Sequence, residues 1–217
     1  MTQARIAEEM RQGPVAGRIR EARLIAVLRR VAPQARLLRL VDDFVEAGVV
    51  AFEITLDGPT APEDLAAARR QLDQRMHERS FVLGAGTVRT VAQLQQGRDL
   101  GADFAVSPVL DPRVLAAALE LRIPFFPGAF SPTEVDVAWR QGATFVKVFP
   151  GSSAGPQHIR EIGGSLPEIE LIVTGDVDAA NARSFLDAGA IAVGIGSAIA
   201  RADGPTRRAM VANVRAG

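Results

Sequence analysis

Eight times along the 217 residues a short β-branched run ends in a polar or glycine-rich turn and gives way to an amphipathic stretch at helical period. This alternation constrains the fold more than any other feature, because parallel strands joined by crossover helices are buried on both faces. The strand runs are 24–28, 51–55, 81–85, 104–107, 124–127, 144–149, 171–174 and 192–195. Helical patterns follow at 35–47, 62–76, 91–100, 112–121, 132–140, 157–162, 179–188 and 205–214.

Local punctuation agrees with those placements. Thr90 with Gln93 and Ser131 with Glu134 have capping-box spacing, and Pro132 suits a first helical position. Gly48, Gly101, Gly142 and Gly189 each follow an apolar helical segment, where a left-handed residue closes a helix. An open doubly wound sheet alternates in the same way, but it usually opens on a glycine-rich fingerprint after strand one, and Leu28-Arg29-Arg30 is no such loop. The expected fold is therefore α/β, a (β/α)8 TIM barrel forming a single domain over 1–217. Residues 1–23 add an N-terminal helical extension: a helix over 2–10 with a plugging or capping role, then an interruption at Gly13, Pro14 and Gly17.

Hydrophobic residues make up 47% of the chain and aromatics only 5%, so the core is expected to be aliphatic. Acidic and basic residues balance at 25 each with no basic block, which argues against a nucleic-acid partner. The chain has no cysteine, which removes disulfides, thiolate metal sites and a cysteine nucleophile and fits the cytoplasm. No segment reads as a signal peptide or a membrane span. His77, in the polar tail of a helix, and His158, at the start of another, read as solvated or capping residues, so no metal and no cofactor is expected. Trp139 reads as packing; Phe130, at the mouth of strand five, suits packing or the pocket equally.

Among the basic residues Lys147 is the sole lysine. It lies in Phe145-Val146-Lys147-Val148-Phe149, a strand whose alternation aims it into the barrel. A buried ammonium loses hydration, its pKa falls, and the free amine that attacks a carbonyl becomes populated. Glu53, isolated in Phe52-Glu53-Ile54-Thr55, is the acid/base candidate; the alternative is a structural ion pair with Lys147. Strand three ends Gly84-Ala85-Gly86-Thr87, with glycines that admit a ligand and a hydroxyl at Thr87. The last two strands end Thr174-Gly175-Asp176 and Gly194-Ile195-Gly196-Ser197, where such barrels commonly hold phosphate.

Five motifs, Phe52-Glu53-Ile54-Thr55-Leu56, Gly84-Ala85-Gly86-Thr87-Val88, Val106-Ser107-Pro108, Phe145-Val146-Lys147-Val148-Phe149-Pro150 and Gly194-Ile195-Gly196-Ser197, stand in the order found in the ketodeoxyphosphogluconate and ketohydroxyglutarate aldolases, and the chain resembles that family from about Leu24 to Ser197. The resemblance implies a class I aldolase barrel, usually a homotrimer, that releases pyruvate from a small-molecule 2-keto-4-hydroxy acid without a metal. It implies Lys147 as the imine lysine and Glu53 as acid/base. Thr87 and Thr174 would contact the pyruvate portion, Pro108 and Phe149 would wall the pocket, Gly175 with Ser197 would hold a substrate phosphate, and Gly196 would also bind substrate. Asp57 stands where many members carry a carboxylate-binding arginine, and Leu28-Arg29 matches the galactonate branch, so Arg29 would supply that cation. Asp176 replaces a glycine of the family's loop, which makes a non-phosphorylated substrate plausible. Two rival readings are a phosphosugar epimerase or decarboxylase barrel, and a keto-acid-binding barrel without turnover.

Overall fold

The computed structural model describes residues 2–76 and 80–216. After helices α1 (Gln3–Arg11) and α2 (Pro14–Ala22), the chain alternates strand and helix: β1 (Leu24–Leu28), α3 (Gln34–Glu46), β2 (Ala51–Thr55), α4 (Ala61–Arg75), β3 (Val82–Gly86), α5 (Val91–Asp99), β4 (Phe104–Val106) and α6 (Pro112–Leu121). It continues β5 (Phe125–Phe126), β6 (Gly128–Ala129), α7 (Pro132–Arg140), β7 (Val146–Val148), α8 (Gly151–Ser165), β8 (Leu171–Thr174), α9 (Ala182–Asp187), β9 (Ala192–Ile195), α10 (Ser197–Arg201) and α11 (Gly204–Arg215).

All strands are parallel, in the order β5-β4-β3-β2-β1-β9-β8-β7-β6. The two ends of that order, β5 and β6, are halves of one barrel strand broken at Pro127, which has no N–H to give to a ladder. β5 pairs with β4 and β6 with β7, and the Pro127 carbonyl accepts from the Lys147 amide at 2.9 Å, so the strand closes the barrel. The expected eight-stranded barrel is thus formed. Ser131 and Glu134 make a complete capping box, and the four expected closing glycines all have positive φ.

Alternation along each strand separates two cores. Outward residues such as Leu24, Phe52, Ile54, Leu83 and Val146 pack against the surrounding helices. Inward residues Ile25, Val82, Phe104, Phe126, Phe145 and Ile172 meet Ala16, Ile19 and Ala22 of α2. Phe104 stacks on Phe126 at 4.9 Å, and Phe126 meets Phe145 edge-on at 5.1 Å, giving the interior an aromatic floor. Fully burying one such side chain is worth about 1.5–3 kcal/mol.

The helix expected over 2–10 forms as α1 but lies outside the barrel, where Ala7 and Met10 pack on Leu119 of α6. The plug is α2, which contacts β1, β2, β3 and β9. Pro14 is its first residue rather than an interruption, because a first-turn residue needs no hydrogen-bonding N–H. Arg20 anchors this helix through two bonds to Glu170, at 2.7 and 2.6 Å.

Candidate active site

With the N-terminal end of the barrel filled by α2, the inward positions nearer the strands' C-terminal ends are free to line a cavity. On β7 the side-chain period of two puts Phe145, Lys147 and Phe149 on the inner face, the first in the floor and the other two above it. On β2 the same period puts Glu53 and Thr55 inside. Together with Val27, Arg29, Thr87, Thr174, Gly175, Asp176, Gly194, Gly196 and Ser197 they line a cavity of about 470 Å³.

Lys147 is 8% exposed and Glu53 3%. Burial pushes the Lys147 amine below its usual range; Glu53 pulls it back up and Arg29 adds a downward push. Burial pushes the Glu53 carboxyl above its usual range, against the pull of Lys147 and Arg29. Neither residue forms an ion pair or hydrogen bond among the described residues, so the structural salt bridge weighed from sequence is not made. The Lys147 Nζ stands 5.1 Å from the Phe149 ring centre. An amine with a lowered pKa, facing a cavity beside a carboxyl with a raised one, is suited to carbonyl attack followed by proton transfer.

Gly86 explains why the Glu53 side chain fits. A Cβ at residue 86 would come within 2.7 Å of Cγ and Cδ of Glu53. Thr87 next to it holds φ 58, a left-handed conformation rare for a β-branched residue and costing about 1–3 kcal/mol. Across the cavity the Thr174 hydroxyl is buried with no hydrogen-bond partner, and its methyl group lies where a Cβ on Gly194 would fall.

Arg29 donates from Nε and an η nitrogen to Asp57 at 3.1 and 2.8 Å, and Arg30 reaches the same carboxylate oxygen at 3.1 Å. Burial raises the Asp57 pKa, but the Thr55 hydroxyl and the two guanidiniums outweigh it, leaving the group below its usual value. Asp57 therefore orients Arg29 instead of opposing an incoming anion alone, and the cluster of two cations and one anion keeps a positive sum.

Nine of the ten sequence-derived site residues line the cavity: Lys147, Glu53, Arg29, Thr87, Phe149, Thr174, Gly175, Gly196 and Ser197. Pro108 does not; its carbonyl backbone presses on Gly128 where a Cβ would fall. Phe130 is 38% exposed, lies outside the lining, and stacks on His158, whose ring nitrogen bonds the Phe130 carbonyl at 2.7 Å. His77 lies outside the described residues. Sequence reasoning did not single out Thr55, Val27 or Ser152 as lining residues, although Thr55 and Val27 follow from a period of two counted from Glu53 and Ile25. Among the described residues no group of three or more His, Cys, Asp or Glu side chains is placed to hold a metal ion, and no helix is long and apolar enough to cross a membrane.

Comparison with known proteins places this geometry. Residues 15–211 match the family described as KDPG and KHG aldolase. The chain belongs to that family. It is 33% identical over 180 residues, 82% of each chain, to the probable 2-dehydro-3-deoxy-6-phosphogalactonate aldolase of Rhizobium meliloti. It is 33% identical over 168 residues, 77% of this chain and 73% of the other, to the 2-dehydro-3-deoxy-phosphogluconate aldolase of Pseudomonas aeruginosa. The crystal structure of the KDPG aldolase from Legionella pneumophila superposes with a TM-score of 0.79 at 25% identity, covering 94% of this chain and 98% of that one; in it pyruvate is captured as a covalent carbinolamine. This aldolase is accordingly a carbon–carbon lyase of the Schiff-base class.

Proposed function

We propose that this aldolase cleaves a 2-keto-3-deoxy sugar acid, or 4-hydroxy-2-oxoglutarate, into pyruvate and an aldehyde, with Lys147 as the imine lysine and Glu53 as the acid/base. The observation that carries the assignment is a lone buried lysine, unpaired and with a lowered pKa, facing a cavity it shares with a raised-pKa carboxyl.

The Lys147 amine adds to the C2 ketone, and loss of water from the carbinolamine leaves a protonated imine. Glu53, directly or through water, takes the C4 hydroxyl proton as the C3–C4 bond breaks, and the electron pair flows into the imine nitrogen to leave an enamine. The same carboxyl then returns a proton to C3, and hydrolysis frees pyruvate and the amine. In this reading Arg29, oriented by Asp57, binds the substrate carboxylate, and Thr87 and Thr174 hold the pyruvate portion. Phe149 flanks the pocket, while Gly175, Gly196 and Ser197 meet the substrate's far end.

Borohydride reduction in the presence of pyruvate tests the assignment. A mass increase of one reduced pyruvate on the peptide containing Lys147 is expected; a folded protein that gains none refutes it. We also propose a cytoplasmic homotrimer. The exposed apolar side chains Val109 and Phe130 support an association surface, and light scattering that returns a monomer overturns it.

A further inference from the structure

A second inference rests on the aldolase reading and concerns the end of the substrate remote from Lys147. Among the described residues the cationic side chains lining the cavity are Lys147 and Arg29, and Arg29 is already engaged by Asp57. The stretch contributed after β8 and β9 holds backbone, the hydroxyl of Ser197, that of nearby Ser152, and one carboxylate, Asp176. Among the described residues no arginine or lysine lines it.

The position of Asp176 is fixed by its neighbours. Gly175, at φ 100, packs so closely that a Cβ would lie 3.1 Å from the Gly151 amide nitrogen and 3.2 Å from the Phe149 ring, and its carbonyl accepts from the Ser152 amide. Asn181 Nδ2 donates to the Asp176 carbonyl at 2.9 Å. Asp176 itself has φ 54, a left-handed backbone that aspartate tolerates better than most residues. Its carboxylate has no hydrogen bond or ion pair among the described residues. The cap of the following turn is made by Asp178, which accepts from the amides of Ala180 and Asn181, so capping does not occupy Asp176. Nor is Asp176 among the charges acting on Lys147 or Glu53.

We propose that Asp176 selects against a phosphorylated tail and for a neutral, hydroxylated one, making the substrate a 2-keto-3-deoxy sugar acid without a terminal phosphate. A phosphate carries a charge of about −1.5 to −2 at neutral pH, and at this end it would meet an uncompensated carboxylate with no guanidinium or ammonium to offset it. Hydroxyl groups face the reverse situation: they are donors, and a free carboxylate has two oxygens to accept from them. Ser152 and Ser197 add neutral partners for the same groups.

The test is pyruvate release from 2-dehydro-3-deoxygluconate and 2-dehydro-3-deoxygalactonate, each with and without a 6-phosphate. The plain acid should be favoured by at least about tenfold in kcat/KM, corresponding to about 1.4 kcal/mol. Asp176→Asn keeps the size and the left-handed backbone but removes the charge, and should move that ratio toward the phosphorylated substrate by about tenfold, mainly through KM. Asp176→Gly suits the same backbone and serves if the first variant fails to fold. A wild-type preference for the phosphorylated acid, or a ratio that neither variant moves, overturns the proposal. Borohydride trapping on the same preparation separates the two readings. A pyruvate adduct on Lys147 together with a phosphate preference removes only the tail assignment, whereas a folded protein that gives no adduct removes both.

Discussion

Replacing Gly86 with alanine puts a methyl group where the Glu53 side chain now lies. A Cβ there comes within 2.7 Å of both Cγ and Cδ of Glu53, and closer still to Oε1. Because Cγ clashes as well as the carboxyl, rotating the carboxyl alone brings no relief. Non-bonded carbons settle at about 3.5 Å or more, so Cγ must retreat by roughly 0.8 Å and the carboxyl by more. Gly86 lies in a strand with no positive φ, so alanine meets no backbone penalty and the barrel should fold. A catalytic group displaced by about 1 Å costs on the order of 100-fold in rate, or about 2.7 kcal/mol of transition-state stabilisation. Steady-state pyruvate release should therefore show Gly86→Ala with kcat near one-hundredth of wild type and KM within about threefold, since Arg29 is untouched. Borohydride should still trap pyruvate on Lys147. Adding Gly86→Ala to Glu53→Gln should cost little beyond Glu53→Gln alone, because both act on one carboxyl. A Gly86→Ala protein with kcat within threefold of wild type, or losses that multiply in the double variant, would refute this account of how the carboxyl is placed.

The pH at which Lys147 becomes reactive should lie below the 10.5 of an ordinary lysine, since burial lowers its pKa; an imine-formation profile with its midpoint at or above 10.5 refutes this. The unfolded chain binds a proton at Lys147 at a higher pH than the native state does, so the native state loses stability as pH falls below 10.5 toward the lowered folded value. Lys147→Met should accordingly gain in Tm over wild type as pH is brought from about 11 to 8, and a difference that stays flat counts against it. Ile19→Ala, in the fully buried plug, should cost about 2–4 kcal/mol in urea unfolding; a loss under about 1 kcal/mol would mean that α2 is not part of the cooperative core.

Much of the barrel was legible in the sequence because strand period and turn chemistry agree locally. β1, β2, β8 and β9 fall on residues 24–28, 51–55, 171–174 and 192–195 as expected. Lys147 and Glu53 were legible because a charged residue inside an apolar strand stands out against its neighbours. The run expected at 124–127 instead extends to Ala129 and breaks in the middle, since a proline removes a ladder donor without ending the strand. α2 was hidden because Gly13, Pro14 and Gly17 resemble a loop, and only packing against Ile25 and Val82 makes a helix of them. Helix α8 begins at Gly151 rather than at 157, because Gly155 at φ 70 joins two helical pieces. The bond between Asp57 and Arg29 spans 28 residues, so no local pattern could reveal that an apparently repulsive aspartate orients the cation.

The plug formed by α2 also dictates traffic. With the N-terminal end of the barrel filled by Ala16, Ile19 and Ala22, one mouth serves both arrival and departure. In the proposed mechanism the three-carbon fragment stays tethered to Lys147 during cleavage, with its former partner nearer the exit. The aldehyde must therefore leave before the tether is hydrolysed, and in synthesis the keto acid must load first.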